Sequence, residues 1–509
     1  MIGNYKIIDT NESFRLIERK HLQKININVN IKSLSNETLK IAACISGNPQ
    51  IISITSDPFN KSTIFLSEDA ASVHLSTDLR KIYGLSPRTI DLDSVAASLM
   101  GDENYSFRTI WKGLFSLPPG GTIKISRIRN NANNEPEFEY PCLRESNTRI
   151  DIADSFLKTL QDYSHGHELV MVNFSGGTDS SAILYGLMEF RDPKNIVAVT
   201  WHATNSSSPH DVEHAKSITN ALGVRHVVST IAPDELVSLT PSSFIRPLPS
   251  TATAFDNFYE RTILDMLAET ECSTVGVFDG HGGDHLFLDP PPSEILRQIL
   301  KKYGPRTALR KLDHLAKLTN IGTPMLVFSG ILSRRKTLHP QDSSLFSTEL
   351  KNLANTSKKR NTPSDDIHER WILSAIYQNS FQSNHLPISN IYFPFTSRKM
   401  IDAARSWPNH EFFDGTRRRI PFRSSIQARF PDIQFRSEKG DITAAHQRSI
   451  LKNLTEIQST IENGYLSKLE YINRDAVARH MNHAATGVNG ISAALLRLIS
   501  FEKTLLQFT

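Results

Sequence analysis

One stretch near the middle of the chain limits the fold more than any other. Leu169-Val-Met-Val-Asn173 is a short apolar run, Ser175-Gly-Gly-Thr-Asp-Ser-Ser181 is a glycine turn rich in hydroxyls, and Ser180 to Phe190 carries apolar residues at helical spacing. Strand, glycine turn and helix in that order open a βαβ unit. The alternation is wider than this unit. A helical stretch at Ile150–Tyr163 comes before it, and Asn195–Trp201, a helical Asp211–Gly223, Arg225–Thr230 and Ser273–Phe278 follow. Strands that are apolar throughout have both faces covered, so the expected fold is α/β, a parallel sheet between helices. From about Pro292 to Thr509 the pattern is mostly helical and contains no internal repeat.

A chain of 509 residues exceeds one hydrophobic core, so a second domain is expected ahead of this one. The N-terminal part reads as short β-rich pieces at Lys40–Ser46, Gln50–Ser56, Ser62–Ser67 and Gly121–Ser126, with one helical stretch at Asp91–Met100. Arg129–Asn147 lacks periodicity and is rich in Asn, Glu and Pro, which marks a connector. The expected organisation is therefore a β-rich domain over 1–128, a connector over 129–149 and an α/β domain over 150–509.

Lys plus Arg number 57 against 53 Asp plus Glu, a surplus of +4 that is too small for a surface that coats nucleic acid. The cysteines Cys44, Cys142 and Cys272 are far apart, so neither a disulfide framework nor a CxxC metal knuckle is available, and a reducing cytoplasm is the expected compartment. The first twenty residues mix acids and bases without an apolar core, unlike a secretory signal. No run approaches the roughly 20 apolar residues that span a bilayer.

The Ser175–Ser181 turn is built to hold an anion. Glycines let backbone N–H groups close around phosphate oxygens, and the helix that follows adds the partial positive charge of its N-terminus. It is not a Walker A loop, since GxxxxGK[ST] is absent. A second glycine loop, Asp279-Gly-His-Gly-Gly-Asp-His285, follows the later apolar strand. A zinc reading of His281 and His285 fails because two glycines separate them, the Glu of HExxH is missing and spacing identifies no third ligand.

These motifs resemble those of the PP-loop ATP pyrophosphatases, in particular the asparagine synthetase branch with its (S/T)GxGxD second motif. The resemblance implies ATP and Mg2+ as cofactors, with Phe174, Ser175, Gly176, Gly177, Thr178, Asp179, Ser180, Ser181, Trp201, Asp279 and Gly280 serving the nucleotide and Asp179 and Asp284 the metal. His281 stands where asparagine synthetases carry Glu and β-lactam synthetases carry a catalytic Tyr. An imidazole there could accept a proton from an attacking amine, or could only hydrogen-bond the loop. Downstream, Phe393–Met400 resembles the family's R-x-P-F-x-D segment, with Tyr392 in place of Arg and Ser397 in place of Asp. Gly415–Arg423 and Arg436–Gly440 resemble its closing basic region. Lys439 falls where the family places a lysine facing phosphate and developing acyl charge, whereas the Arg417–Arg419 run fits a solvated face equally well.

Residues 1 to about 125 resemble the glutaminase domain of asparagine synthetases in Ser76–Leu85, the helix near Ser94 and Leu117-Pro-Pro-Gly-Gly121. The family's nucleophilic cysteine after the initiator Met is replaced by Ile2, so the attacking amine is expected to come from the substrate. Gly280–Glu294, reading GHGGDHLFLDPPPSE, is most similar to the lasso-peptide macrolactam synthetases. That resemblance implies adenylation of a side-chain Asp or Glu of a precursor core peptide, attack by the peptide α-amine, and as partners a leader peptidase and a leader-recognition protein. A β-lactam or other small-molecule amide synthetase is the alternative enzyme, and a catalytically silent peptide-binding protein the alternative of another class.

Overall fold

The computed structural model describes the chain apart from residues 1–5, 11–12, 18–24, 33–37, 46–50, 57–62, 69–71, 86–88, 102–105, 127–135, 144, 147, 204–209, 233–235, 245, 255, 270–271, 273, 333–343, 359–363, 382–388, 436–442, 489–491 and 509. The described N-terminal strands form two antiparallel sheets. One has the order β1 (Lys6–Thr10), β2 (Ser13–Ile17), β7 (Ser72–Ser76), β6 (Ile64–Glu68), β8 (Leu114–Leu117). The other runs β10 (Glu137–Glu139), β9 (Thr122–Ser126), β5 (Ile51–Ser56), β4 (Thr38–Ile45), β3 (Ile25–Lys32). In the first, Leu66 faces both Leu75 and Phe115 across the ladder; in the second, Ile54 faces Ile123. All five residues are buried, with Val95, Ala96 and Leu99 of the helix Leu92–Leu99 in the same core. Asp91 starts that helix by accepting from the Ser94 amide and hydroxyl.

The expected connector contains β10, which adds an edge to the second sheet through its pairing with β9. Its only apolar side chain is Phe138 between two glutamates, too short an alternation to read as a strand. Phe138 gains its partner from elsewhere, stacking on Phe107 at a ring separation of 5.0 Å.

The third sheet is wholly parallel, ordered β13 (Arg225–Ile231), β12 (Ile196–Ala203), β11 (Leu169–Asn173), β14 (Val275–Phe278), β15 (Ser389–Tyr392). The apolar strands β11, β12 and β14 bury both faces, as their composition requires, whereas the edge strand β13, expected to be covered on both faces, is exposed or half-buried at every residue but Ile231 because helix packing does not reach across it. Met171, Val197, Val199, Val277 and Ile391 share one core cluster, while Val170, Val172, Ile196 and Ala198 join the other with Phe156, Leu160 and Ile183 from the covering helices Ile152–Ser164 and Thr178–Leu187. The chain enters at β11, winds outward through β12 and β13, then returns to the other side for β14 and β15. The loops after β11 and β14 therefore diverge from adjacent strands, opening a crevice at the C-terminal edge where sheets of this type bind ligands. The expected α/β architecture of this part is found, with β15 as a strand that the sequence pattern did not single out.

Hydrogen bonds tie the antiparallel sheets to this body. Thr63 Oγ1 meets Ser380 Oγ at 2.5 Å, Ser98 donates to the Pro249 carbonyl at 2.7 Å and the Ile110 amide to the Pro247 carbonyl at 2.9 Å. Among the described residues no single helix is long and apolar enough to cross a membrane.

Candidate functional site at the sheet's switch point

The loop Ser175–Ser181 connects β11 to the helix Thr178–Leu187. Gly176 has φ 68°, a left-handed conformation, and a Cβ there would come within 3.0 Å of the His214 ring. Gly177 begins the helix without a side-chain cap, so the first-turn N–H groups keep their capacity for an external acceptor. The turn is braced from within: the Ser175 amide donates to Ser180 Oγ at 3.2 Å, and the Gly177 amide to Ser175 Oγ at 3.3 Å. Ser175 is exposed, Asp179 half-buried and Ser180 buried. Phe174 and Ser181 are 1% and 0% exposed, so their side chains lie beneath the loop rather than on its surface. Phe174 also uses its backbone, donating to the Val199 carbonyl and accepting from Thr200 Oγ1. Trp201 lies half-buried on β12, edge-on to Phe258 and Tyr259.

The loop after β14 packs directly on Asp179. A Cβ at Gly280 would sit 2.9 Å from that of Asp179, and one at Gly283 would collide with the Asp179 carboxylate, so the two motifs meet only because glycine stands at both positions. Asp279 locks the adjacent strands: its Oδ2 accepts from Asn173 Nδ2 at 2.8 Å and its Oδ1 from the His281 amide at 2.7 Å. Burial, followed by the nearby Asp279 charge, pushes the Tyr259 phenol well above its ordinary value. The short helical turn Gly283–Leu286 is fixed from below by His368 Nε2, which donates to the Leu286 carbonyl at 2.7 Å. Burial first, then Arg405, pushes His368 down to about 4, which keeps it neutral in that role.

Asp179 and Asp284 converge on one guanidinium, that of Arg419. Arg419 Nη1 lies 2.5 Å from Asp179 Oδ1, Nη2 pairs with the Asp284 carboxylate, and Nε reaches Asp289 Oδ2 at 2.7 Å. Arg419 is 2% exposed, so the Arg417–Arg419 run is not a uniform solvated face: Arg417 is exposed on Asp414, and Arg419 points inward. Two carboxylates from separate loops thus already share a cation, a donor set of the kind that suits Mg2+. Arg423 lies alongside, donating from Nη2 to Thr178 Oγ1 at 2.8 Å, and burial followed by the Arg419 charge lowers its guanidinium pKa.

His281 is half-buried above this cluster. Thr396 donates its hydroxyl proton to the Phe393 carbonyl at 3.1 Å, so its oxygen accepts from Asn379 Nδ2 at 3.2 Å. That orients the Asn379 amide with Oδ1 2.7 Å from His281 Nδ1, which must then carry the proton. This fixes the tautomer: whenever the imidazole is neutral, its lone pair is on Nε2. Asn379 ends the helix Ile367–Asn379, and nothing in its sequence neighbourhood marks it as part of a site.

The two departures from the family pattern have structural roles. Tyr392 is 8% exposed, with its hydroxyl 2.8 Å from His167 Nε2, and Ser397 caps the helix Arg398–Arg405 through the Met400 amide. Lys439 and Ile2 lie outside the described residues.

Among solved structures, the chain is similar to the U34-tRNA thiolase NcsA of Methanococcus maripaludis, with 16% identity over 58% of this chain and 83% of that one and a TM-score of 0.21. It is also similar to the NH3-dependent NAD synthetase of Campylobacter jejuni, at 16% identity over 42% and 96% with a TM-score of 0.22. The NMN synthetase of Francisella tularensis gives 14%, 45%, 94% and 0.23. Likenesses this distant carry no inference about this chain. No curated protein matches it. Residues 152–381, which bring both glycine loops, His281 and Asn379, match the family model of asparagine synthase, so this stretch is asparagine synthetase-like.

Proposed function

We propose that this protein is an ATP-dependent, AMP-forming macrolactam synthetase acting on a lasso-type precursor peptide. The observation that carries the reading is the meeting of the two glycine loops at the switch point, with Asp179 and Asp284 on one cation and a tautomer-fixed His281 beside them. The similarity of Gly280–Glu294 to the lasso synthetases narrows the substrate from any amide former to a peptide that brings its own amine.

In this reading the triphosphate lies on the uncapped N-terminus after Gly177, with the exposed Ser175 hydroxyl and Arg423 facing its oxygens. Asp179 and Asp284 would hold Mg2+, which neutralises phosphate charge. A side-chain carboxylate of the peptide attacks the α-phosphorus, forming an acyl-AMP as pyrophosphate leaves. The α-amine then attacks the acyl carbon, its proton passes to His281 Nε2, and AMP departs with the ring closed. Lys439, by its position in the family pattern, offers positive charge to the acyl oxygen in both steps. A leader peptidase that frees the amine and a leader-recognition protein are the partners this chemistry needs. Residues 1–128 are read as a glutaminase-like domain that has lost ammonia release.

The test is stoichiometry with a linear peptide that has a free α-amine and an internal Asp or Glu. One AMP and one pyrophosphate per cyclic product are expected. Amide formation only with a small-molecule amine would move the reading to the small-molecule synthetases, and nucleotide turnover without any amide would refute it.

A further inference from the structure

The charge cluster where the two glycine loops meet, centred on the buried Arg419 and Asp289, contains more than the two aspartates read as metal ligands. Asp179, Asp284 and Asp289 supply three carboxylates, and Arg418, Arg419 and Arg423 stand against them: Arg419 on all three, Arg418 Nη1 on Asp289 Oδ1 at 3.3 Å, and Arg423 on the same loop through Thr178. Three negative and three positive groups leave the cluster neutral. Arg419 is the centre of this balance. It is 2% exposed, and its backbone has φ 52° and ψ 39°, a left-handed conformation that a side chain with a Cβ rarely adopts. A buried guanidinium loses its hydration, so it persists only where partners replace the water. Here each of its Nη1, Nη2 and Nε atoms has a carboxylate of its own.

We propose that Arg419 is a resident counter-cation that occupies the place of the metal between Asp179 and Asp284, so that divalent metal enters only as its complex with the nucleotide. The inference rests on the reading of those two aspartates as metal ligands. A free divalent ion approaching the neutral cluster finds both carboxylates already paired with the Arg419 guanidinium behind them and gains no net attraction. A metal–triphosphate complex brings its own negative charge. Its phosphate oxygens replace the carboxylates as partners of the guanidinium, which frees Asp179 and Asp284 for the metal. The arrangement therefore excludes metal without nucleotide, and it keeps the two carboxylates from repelling one another while the site is empty of both.

Metal binding is read with Mn2+ by electron paramagnetic resonance on the full chain, alone and with α,β-methylene-ATP, which cannot be cleaved at the reacting bond. Parental protein is expected to bind Mn2+ at least tenfold more tightly when the nucleotide is present than would follow from Mn2+ and the analogue binding independently. Arg419→Gln should bind free Mn2+ at least about tenfold more tightly than the parent, since losing a unit charge roughly 5 Å from a divalent ion is worth that factor even at the dielectric constant of water. Equal Mn2+ affinity with and without nucleotide, or an unchanged affinity in folded Arg419→Gln, overturns the proposal. If Arg419→Gln fails to fold, the parental comparison alone decides. Asp284→Asn separates the two failures: if it binds Mn2+ with the analogue as the parent does, the metal assignment itself has fallen.

Discussion

The imidazole relay offers the sharpest perturbation. Asn379→Leu removes the acceptor from His281 Nδ1, a contact of 2.7 Å, and leaves both ring nitrogens in competition for the proton. A neutral hydrogen bond is worth about 0.5–1.5 kcal/mol net, so loss of the correct tautomer and ring orientation should slow the amine step by roughly 2- to 13-fold. His281→Ala removes the base outright and should cost about 100- to 10,000-fold. Neither change touches the Ser175–Ser181 loop proposed to hold the phosphates, so acyl-AMP should still form and accumulate. The assay measures hydroxamate trapped with hydroxylamine against cyclic product, in the same reactions. Both variants should raise the ratio of hydroxamate to product, His281→Ala far more than Asn379→Leu. Asn379→Asp restores an acceptor for Nδ1–H and should recover most of the cyclisation that Asn379→Leu loses. Parental cyclisation by His281→Ala, or equal loss of adenylation and cyclisation in Asn379→Leu, would refute the relay and leave His281 as a residue that only orders its loop.

If Asp179 and Asp284 serve the metal as proposed, Asp179→Asn and Asp284→Asn should each depress peptide-dependent pyrophosphate release at least about 100-fold; near-parental release by either would remove it from the site. Lys439→Ala should slow product formation by about 100- to 1,000-fold, measured as initial rate at saturating ATP, whereas a loss of less than a few-fold would assign Lys439 to the solvated surface. His368 provides a stability test. Its folded value of about 4 lies below the ordinary 6.5, so the unfolded chain takes up a proton that the folded chain refuses: its contribution is complete above about pH 6.5 and falls away toward pH 4. The shift corresponds to about 3 kcal/mol, seen as a urea midpoint that drops between pH 7 and pH 4.5 in the parent and drops less in His368→Gln.

The parallel sheet was legible because β11, β12 and β14 are apolar almost without alternation, a pattern that fits a doubly covered position, and because β11 and β14 run into glycine turns. The strand β15 was not, since Ser389–Tyr392 carries one buried aliphatic residue and gains its strand geometry from pairing with β14. The approach of the two glycine loops and the convergence of Asp179 and Asp284 could be read from motif and order, because glycines are placed where two backbones must approach. Arg419 and Asn379 could not. An arginine within a run of three carries no sign of which one turns inward, and Asn379 acquires its role through Thr396, a residue distant in sequence and brought near by the fold. The N-terminal strands were partly read, and β10 was missed because a three-residue edge strand takes its order from Phe107 and β9 rather than from its own composition.

In the proposed reaction a peptide carboxylate and the same peptide's α-amine are joined as ATP is cleaved to AMP and pyrophosphate. Incubating the protein with Mg-ATP and a linear peptide labelled with 18O in its acceptor carboxylate tests it most directly. One labelled oxygen should appear in AMP for each cyclic peptide formed, the product being lighter than the substrate by one water containing that label. Label absent from AMP, or found in orthophosphate with ADP, would contradict the account.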